Sequence, residues 1–234
     1  MIIRSHSGDT DINVLLLSLL GEYSEKIFVD MKTGKNRIIV QLSNIKLTDE
    51  EKKAIIGFHA FTGNDYVSSF FGKGKSTCWR TFKKDSLYLN AFTLLGMTWE
   101  LGEDVFKILE KYVCQLYGRN VDCVDEARYK MFTENCNKKK SVPDLSLIPP
   151  CKESLKLHCK RSNFVAAVWR RSTLNYINAP SAIGKGWKED FSIEWVKRAF
   201  PEEMESLILN YESDIENPEE SLLENTFETD SDSD

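Results

Sequence analysis

The apolar positions of the first sixty residues follow two rhythms. Short apolar runs predict strands at "MIIRS" and "EKIFVDM", and a third strand or hairpin follows the turn at Gly34 in "KTGKNRIIVQLSNI". Between the first two lies "DTDINVLLLSLLG". It reads as an apolar helix with Asp9 or Asp11 near its start and Gly21 at its end. Thr48 and Glu51 have the spacing of a capping box, which predicts a helix from about Asp49 through Phe61. Strands that alternate with helices argue for a layered α/β beginning. The first helix is apolar on most of its surface, so it needs neighbours on several sides.

Beyond Gly63 the apolar spacing changes to threes and fours. Helices are predicted at "STCWRTFKK", "LYLNAFTLLG", "EDVFKILEKYVCQLYG" and "VDEARYKMFTEN". "NKKKSVPDLSLIPP" reads as a linker closed by Pro149 and Pro150, and "CKESLKLHCKRSNFVAAVWRRST" as one long helix. Lys152, Lys156 and Lys160 fall four apart on that helix and form one positive stripe. "NAPSAIGKGW" is a loop, and an amphipathic segment around Phe191 to Phe200 precedes an acidic end. No internal repeat is present.

Charge sharpens this division. The chain has 234 residues and a formal net charge of −5. Thirteen of its 36 acids lie from Pro201 onward, where there is no basic residue, which leaves 23 acids against all 31 bases and +8 over the first 200 positions. A basic body suits a polyanionic partner. An acidic end of this kind is expected to be a solvated, disordered tail, and it is also able to compete with that partner. No apolar run approaches a membrane span, and "MIIRSHSGD" lacks the layout of a signal peptide. The six cysteines are scattered without a C-x-x-C pair, so reduced thiols in the nucleus or cytoplasm are expected.

Candidate chemistry concentrates in two places. "GNDYVSSFFGKGKST" ends like a phosphate-cradling P-loop, but Ser69 stands where that pattern needs its first glycine, and "DYVSSFF" is a poor preceding strand. Asp9 and Asp11 flank Thr10 just after the first strand. Two carboxylates so placed are able to converge on one hard cation, or the first is simply a helix cap. Asp65 lies 54 residues after Asp11 at a helix-to-turn break, and Gly72, Lys73, Gly74 and Lys75 follow at another helix start. A glycine turn, free N–H groups and lysines suit a phosphodiester oxygen. His59, between Phe58 and Phe61, reads as a packed histidine, and His6 is near enough to Asp9 to approach a metal site.

Two resemblances rest on these motifs. "HSGDTDINVLLL" with "AIIGFHAFTGNDYVSSFFGKGKSTCWRTF" resembles the later half of flap-endonuclease-type 5′ nucleases, which have a PIN-like fold. The likeness implies that Asp9, Asp11 and Asp65 hold one Mg²⁺ or Mn²⁺ and that Gly72, Gly74 and Lys75 grip the backbone of a duplex strand. Asn64 stands where those nucleases usually have cysteine, a change expected to be harmless. Over most of residues 1–200 the chain also resembles a widespread group of transposon-associated animal proteins. These carry D-T-D, H-A-F-T-G-x-D, G-K-G-K, P-P-C-K-x-S-L-x-L-H-C and W-R-R, here Asp9–Asp11, His59–Asp65, Gly72–Lys75, Pro149–Cys159 and Trp169–Arg171.

The fold expected is therefore α/β: an incomplete PIN-like three-layer domain over residues 1–85 with a helix-turn-helix, a helical extension over 86–200, and an acidic disordered tail over 201–234. The nuclease family draws further carboxylates from upstream of its D-x-D, so a truncated or decayed module is expected. The function expected is a structure-selective, metal-dependent phosphodiesterase or its nucleic-acid-binding remnant, acting on DNA with branched or single-stranded parts. Lys152, Lys156 and Lys160 would track phosphates beside the Gly72–Lys75 turn. The alternative is a non-catalytic protein-interaction module in which D-T-D only caps a helix.

Overall fold

The computed structural model describes residues 3–5, 9–21, 27–31, 35, 37–139, 144–190 and 192–195. Strand β1 (Ile3–Ser5) leads to helix α1 (Thr10–Ser18), and β2 (Ile27–Met31) then pairs parallel to β1, with Ile3 opposite Ile27. Strand β3 (Ile38–Gln41) runs back antiparallel to β2, with Val29 opposite Val40, which gives one sheet of order β1-β2-β3. Six further helices follow among the described residues: α2 (Asp49–Phe61), α3 (Lys75–Phe82), α4 (Ser86–Leu94), α5 (Glu103–Leu116), α6 (Val124–Lys139) and α7 (Lys152–Arg170). The described chain is mixed α/β and mostly helical.

Local chemistry accounts for several ends. Thr48 Oγ1 accepts from Glu51 N at 3.2 Å while Glu51 returns a carboxylate to Thr48 N at 2.9 Å, so α2 begins at the expected capping box. Asp9 caps α1 by accepting from Asp11 N, and Asp85 caps α4 in the same way through Leu87 N. Helix α6 extends to Lys139 and takes in the first part of the expected linker, whose remainder carries a short 3₁₀ turn at Leu145–Leu147. Ser192–Trp195, inside the expected amphipathic segment, is not helical. Ile193 instead forms an isolated bridge with Trp187. Most of that segment, His6, Gly34 and the acidic tail of residues 201–234 lie outside the described residues.

The core lies in the helical part. Phe58, Phe61, Phe82, Phe92, Tyr112 and Leu155, from five helices, belong to one buried cluster that reaches from Val14 to Ala166. A smaller cluster of Ile27, Val29 and Leu42 sits under the sheet. Helix α1 serves both. Val14 and Leu15 join the main core, while Leu16 and Leu17 pack on the sheet cluster, which is why so apolar a helix is stable there. At Gly57 a Cβ would run into the Phe92 carbonyl of α4, so glycine permits the close crossing that sets the end of α2. Gly96 combines φ of +83° with Ala166 backbone carbon 2.5 Å from any added Cβ, and seats the end of α4 on α7. No helix among the described residues is long and apolar enough to cross a membrane.

Candidate functional site

The start of α1, the end of α2 and the start of α3 meet at one place. Asp11, in the first turn of α1, has its carboxylate Oδ1 2.7 Å from His59 Nε2. The other ring nitrogen, Nδ1, is 3.0 Å from Lys75 Nζ. An ammonium only donates, so Nδ1 accepts and Nε2 carries the proton that it gives to Asp11. Lys75 also donates to Gly63 O at 2.5 Å and faces Thr62 Oγ1 at 3.3 Å. His59 is buried, and its ring stacks on Trp169 of α7 at 5.5 Å between centroids, with the planes inclined by 24°.

Burial pushes the His59 pKa down, opposed by the hydrogen bond to Asp11 and reinforced by the charge of Lys75. The ring is thus neutral at neutral pH, in agreement with its tautomer. Burial also lowers the pKa of Lys75. As a residue Lys75 is exposed, and its ammonium is held by three neutral acceptors. His59, expected to be a packed residue, is both packed and the bridge between the D-T-D and G-K-G-K motifs.

The loop between α2 and α3 is organised by Asn64. Its Oδ1 accepts from Tyr66 N at 2.8 Å and Val67 N at 3.2 Å, its Nδ2 donates to Ala60 O at 3.0 Å, and its backbone N–H donates to Val67 O. This is an Asx turn tied to the helix end, and a cysteine could not make these bonds. Asn64 thus has a structural part in this loop. The loop shapes an open cleft of about 460 Å³ whose polar wall includes Ser68, Ser69, Lys73 and Lys75. Gly72 adopts φ of +67°, and a Cβ at Gly72 or Gly74 would meet nothing. Gly74 is the N-cap of α3 and supplies no capping side chain, while its carbonyl accepts from Thr77 N at 2.9 Å and Cys78 N at 3.1 Å. Lys73 places its ammonium 4.6 Å from the Tyr117 ring centroid. Neither Lys73 nor Lys75 has a carboxylate within ion-pairing distance among the described residues.

The α7 stripe differs. Lys152 pairs with Glu110 at 3.3 Å and Lys156 with Glu103 at 3.1 Å, both on α5. Only Lys160 of the three has no ion-pair partner among the described residues. The arginines that follow are held by backbone carbonyls. Arg170 donates to Leu95, Phe92, Thr93 and Lys53, Arg171 to Gly96, Met97 and Ala167, and Arg161 to Gly186.

The three expected metal ligands have different surroundings. Asp9 is a helix cap, Asp11 is bound to His59, and Asp65 stands exposed in the loop. Among the described residues, no group of three His, Cys, Asp or Glu side chains is placed to hold a metal ion. No family model, curated protein or solved structure matches the chain.

Proposed function

We propose that the chain grips the sugar-phosphate backbone of nucleic acid through Thr62–Lys75, as the remnant of a flap-endonuclease-like module. One observation carries this. Lys73 and Lys75, which have no carboxylate partner among the described residues, stand in an open polar cleft beside a helix start that no side chain caps. N–H groups at a helix start and cations beside them suit phosphate oxygens. The paired lysines of α7 lack this property, so the grip is assigned to Gly72, Lys73, Gly74 and Lys75. The parallel β1–α1–β2 unit, with D-x-D beyond the carboxyl end of β1, supports a PIN-like origin for residues 1–85. DNA with branched or single-stranded parts is the partner this origin implies.

Phosphodiester cleavage with Mg²⁺ or Mn²⁺ at Asp9, Asp11 and Asp65 is the second reading. It is favoured by the meeting of D-T-D and G-K-G-K through His59, and it requires Asp11 to leave His59. The two are separated by titrating labelled branched DNA in EDTA and then adding Mn²⁺. Binding in EDTA without cleavage supports the remnant. Cleavage that disappears on changing Asp9, Asp11 and Asp65 to Asn supports the enzyme. Absence of salt-sensitive binding rejects both and favours a protein-interaction module.

A further inference from the structure

Beside the polar cleft lies a second cavity of different character. It has a volume of about 400 Å³ and is lined by Tyr66 of the α2–α3 loop, by Phe164, Val168 and Trp169 of α7, and by Ala182 and Trp187 of the segment after α7. We infer that this groove receives one unpaired base of a nucleic-acid strand whose phosphates lie along Gly72–Lys75. The inference rests on the backbone grip proposed above and adds the class of strand that is gripped.

Three features lead to an aromatic ring as the occupant. First, the walls are aromatic and rigidly held. Trp169 is backed by His59, and Phe164 is wedged between Trp99 and Trp187, with ring centroids 5.7 Å away on each side. The volume falls within the range typical of small-ligand sites, and planar rings stack on such walls whatever their sequence.

Second, Tyr66 is 63% exposed at the groove although its backbone is fixed by Asn64. Burying that ring against a base removes a large apolar surface from water. Third, the two cavities share one loop. Tyr66 lines the groove and the next residue, Val67, lines the cleft. A phosphate in the cleft is therefore one residue away from the aromatic wall. Cations and N–H groups on one side, with neutral aromatic faces on the other, match the two halves of a nucleotide. An apolar peptide side chain would suit the groove alone and leave the cleft unexplained. A base held in a duplex is not free to enter.

The test uses the full chain and three fluorescein-labelled ligands: a short oligothymidylate, a strand of equal length that is abasic throughout, and a duplex of the same length. Tyr66→Ala removes one wall and Ala182→Phe fills the groove from another. Both variants should bind oligothymidylate about five- to 150-fold more weakly than the native chain, as expected for loss of one base stack. All three chains should bind the abasic strand alike, and none should prefer the duplex. Equal native affinity for the normal and abasic strands, or an unchanged affinity in both variants, overturns the groove and leaves the backbone grip standing. An equal loss for normal and abasic strands shows that Tyr66 acts through loop shape, and also overturns it. If the native chain binds neither strand in a salt-sensitive way, the backbone grip itself fails, and the base site fails with it.

Discussion

Acid should loosen this molecule through His158. The residue is buried on α7, its Nε2 lies 2.9 Å from Phe61 O, and the Phe61 and Phe70 rings surround it at 5.0 and 4.9 Å. It ties α7, which supplies the aromatic groove, to the end of α2, from which the Asn64 loop springs. Burial pushes its pKa from 6.5 down to about 4; the Phe61 carbonyl opposes this and the charge of Arg161 reinforces it. Between those values the unfolded chain holds a proton that the folded chain excludes, so stability rises with pH across the window. The contribution is complete above pH 6.5, declines as pH falls, and is lost by about pH 4. A gap of about 2.5 pH units at about 1.4 kcal/mol each amounts to about 3 kcal/mol, a large part of a typical folding free energy. Urea unfolding from pH 7.5 to 4 measures it, with His158→Gln as the comparison because glutamine keeps a donor for Phe61 O. The carboxylates and His59 titrate in both chains, so their effects cancel in the difference. The native chain should lose about 3 kcal/mol more than the variant over the window. Parallel losses would refute a neutral, buried His158.

Three further outcomes are expected. Gly57→Ala forces α2 away from the Phe92 carbonyl and should destabilise the fold by about 1–3 kcal/mol in chemical denaturation, with oligonucleotide binding weakened because the end of α2 shifts. Arg170→Lys keeps one charge but loses the fork that reaches four carbonyls, and should lower stability by about 1.5–3 kcal/mol while leaving the salt dependence of binding unaltered. Asn64→Cys should release the Asx turn, seen as faster amide hydrogen exchange at Tyr66 and Val67 and weaker binding; unchanged exchange at both amides would contradict its role.

What the sequence discloses follows the range of the interaction. The Thr48–Glu51 box, the β1–α1–β2 order and the amphipathic α5 depend on residues within a turn or two of each other, and each is legible. The dual packing of α1 is legible in outline, because a helix without a polar face must be covered on more than one side. Pairings between distant residues are not. Asp11 and His59 are 48 positions apart, and no local pattern shows that they meet. The spacing of Lys152 and Lys156 defines a face, but not that Glu103 and Glu110 of α5 lie opposite it. Arginines in "HCKRSNFVAAVWRR" look available for phosphate, since the carbonyls at the end of α4 that take up Arg170 and Arg171 come from 75 residues away. Asn64 is the exception. Asparagine between glycine and aspartate carries the turn signal by itself, and its role could have been read.

The most direct measurement is the salt dependence of oligonucleotide binding for the native chain and for Lys73→Met, Lys75→Met and Lys156→Met. Removing one phosphate-neutralising lysine from the cleft should flatten the slope of log K against log salt by about 0.7–0.9, so the first two variants should bind more weakly with a shallower slope. Lys156→Met, which removes a lysine already paired with Glu103, should match the native chain. A slope unchanged in both Lys73→Met and Lys75→Met, or flattened only in Lys156→Met, would contradict a backbone grip at the Gly72–Lys75 turn.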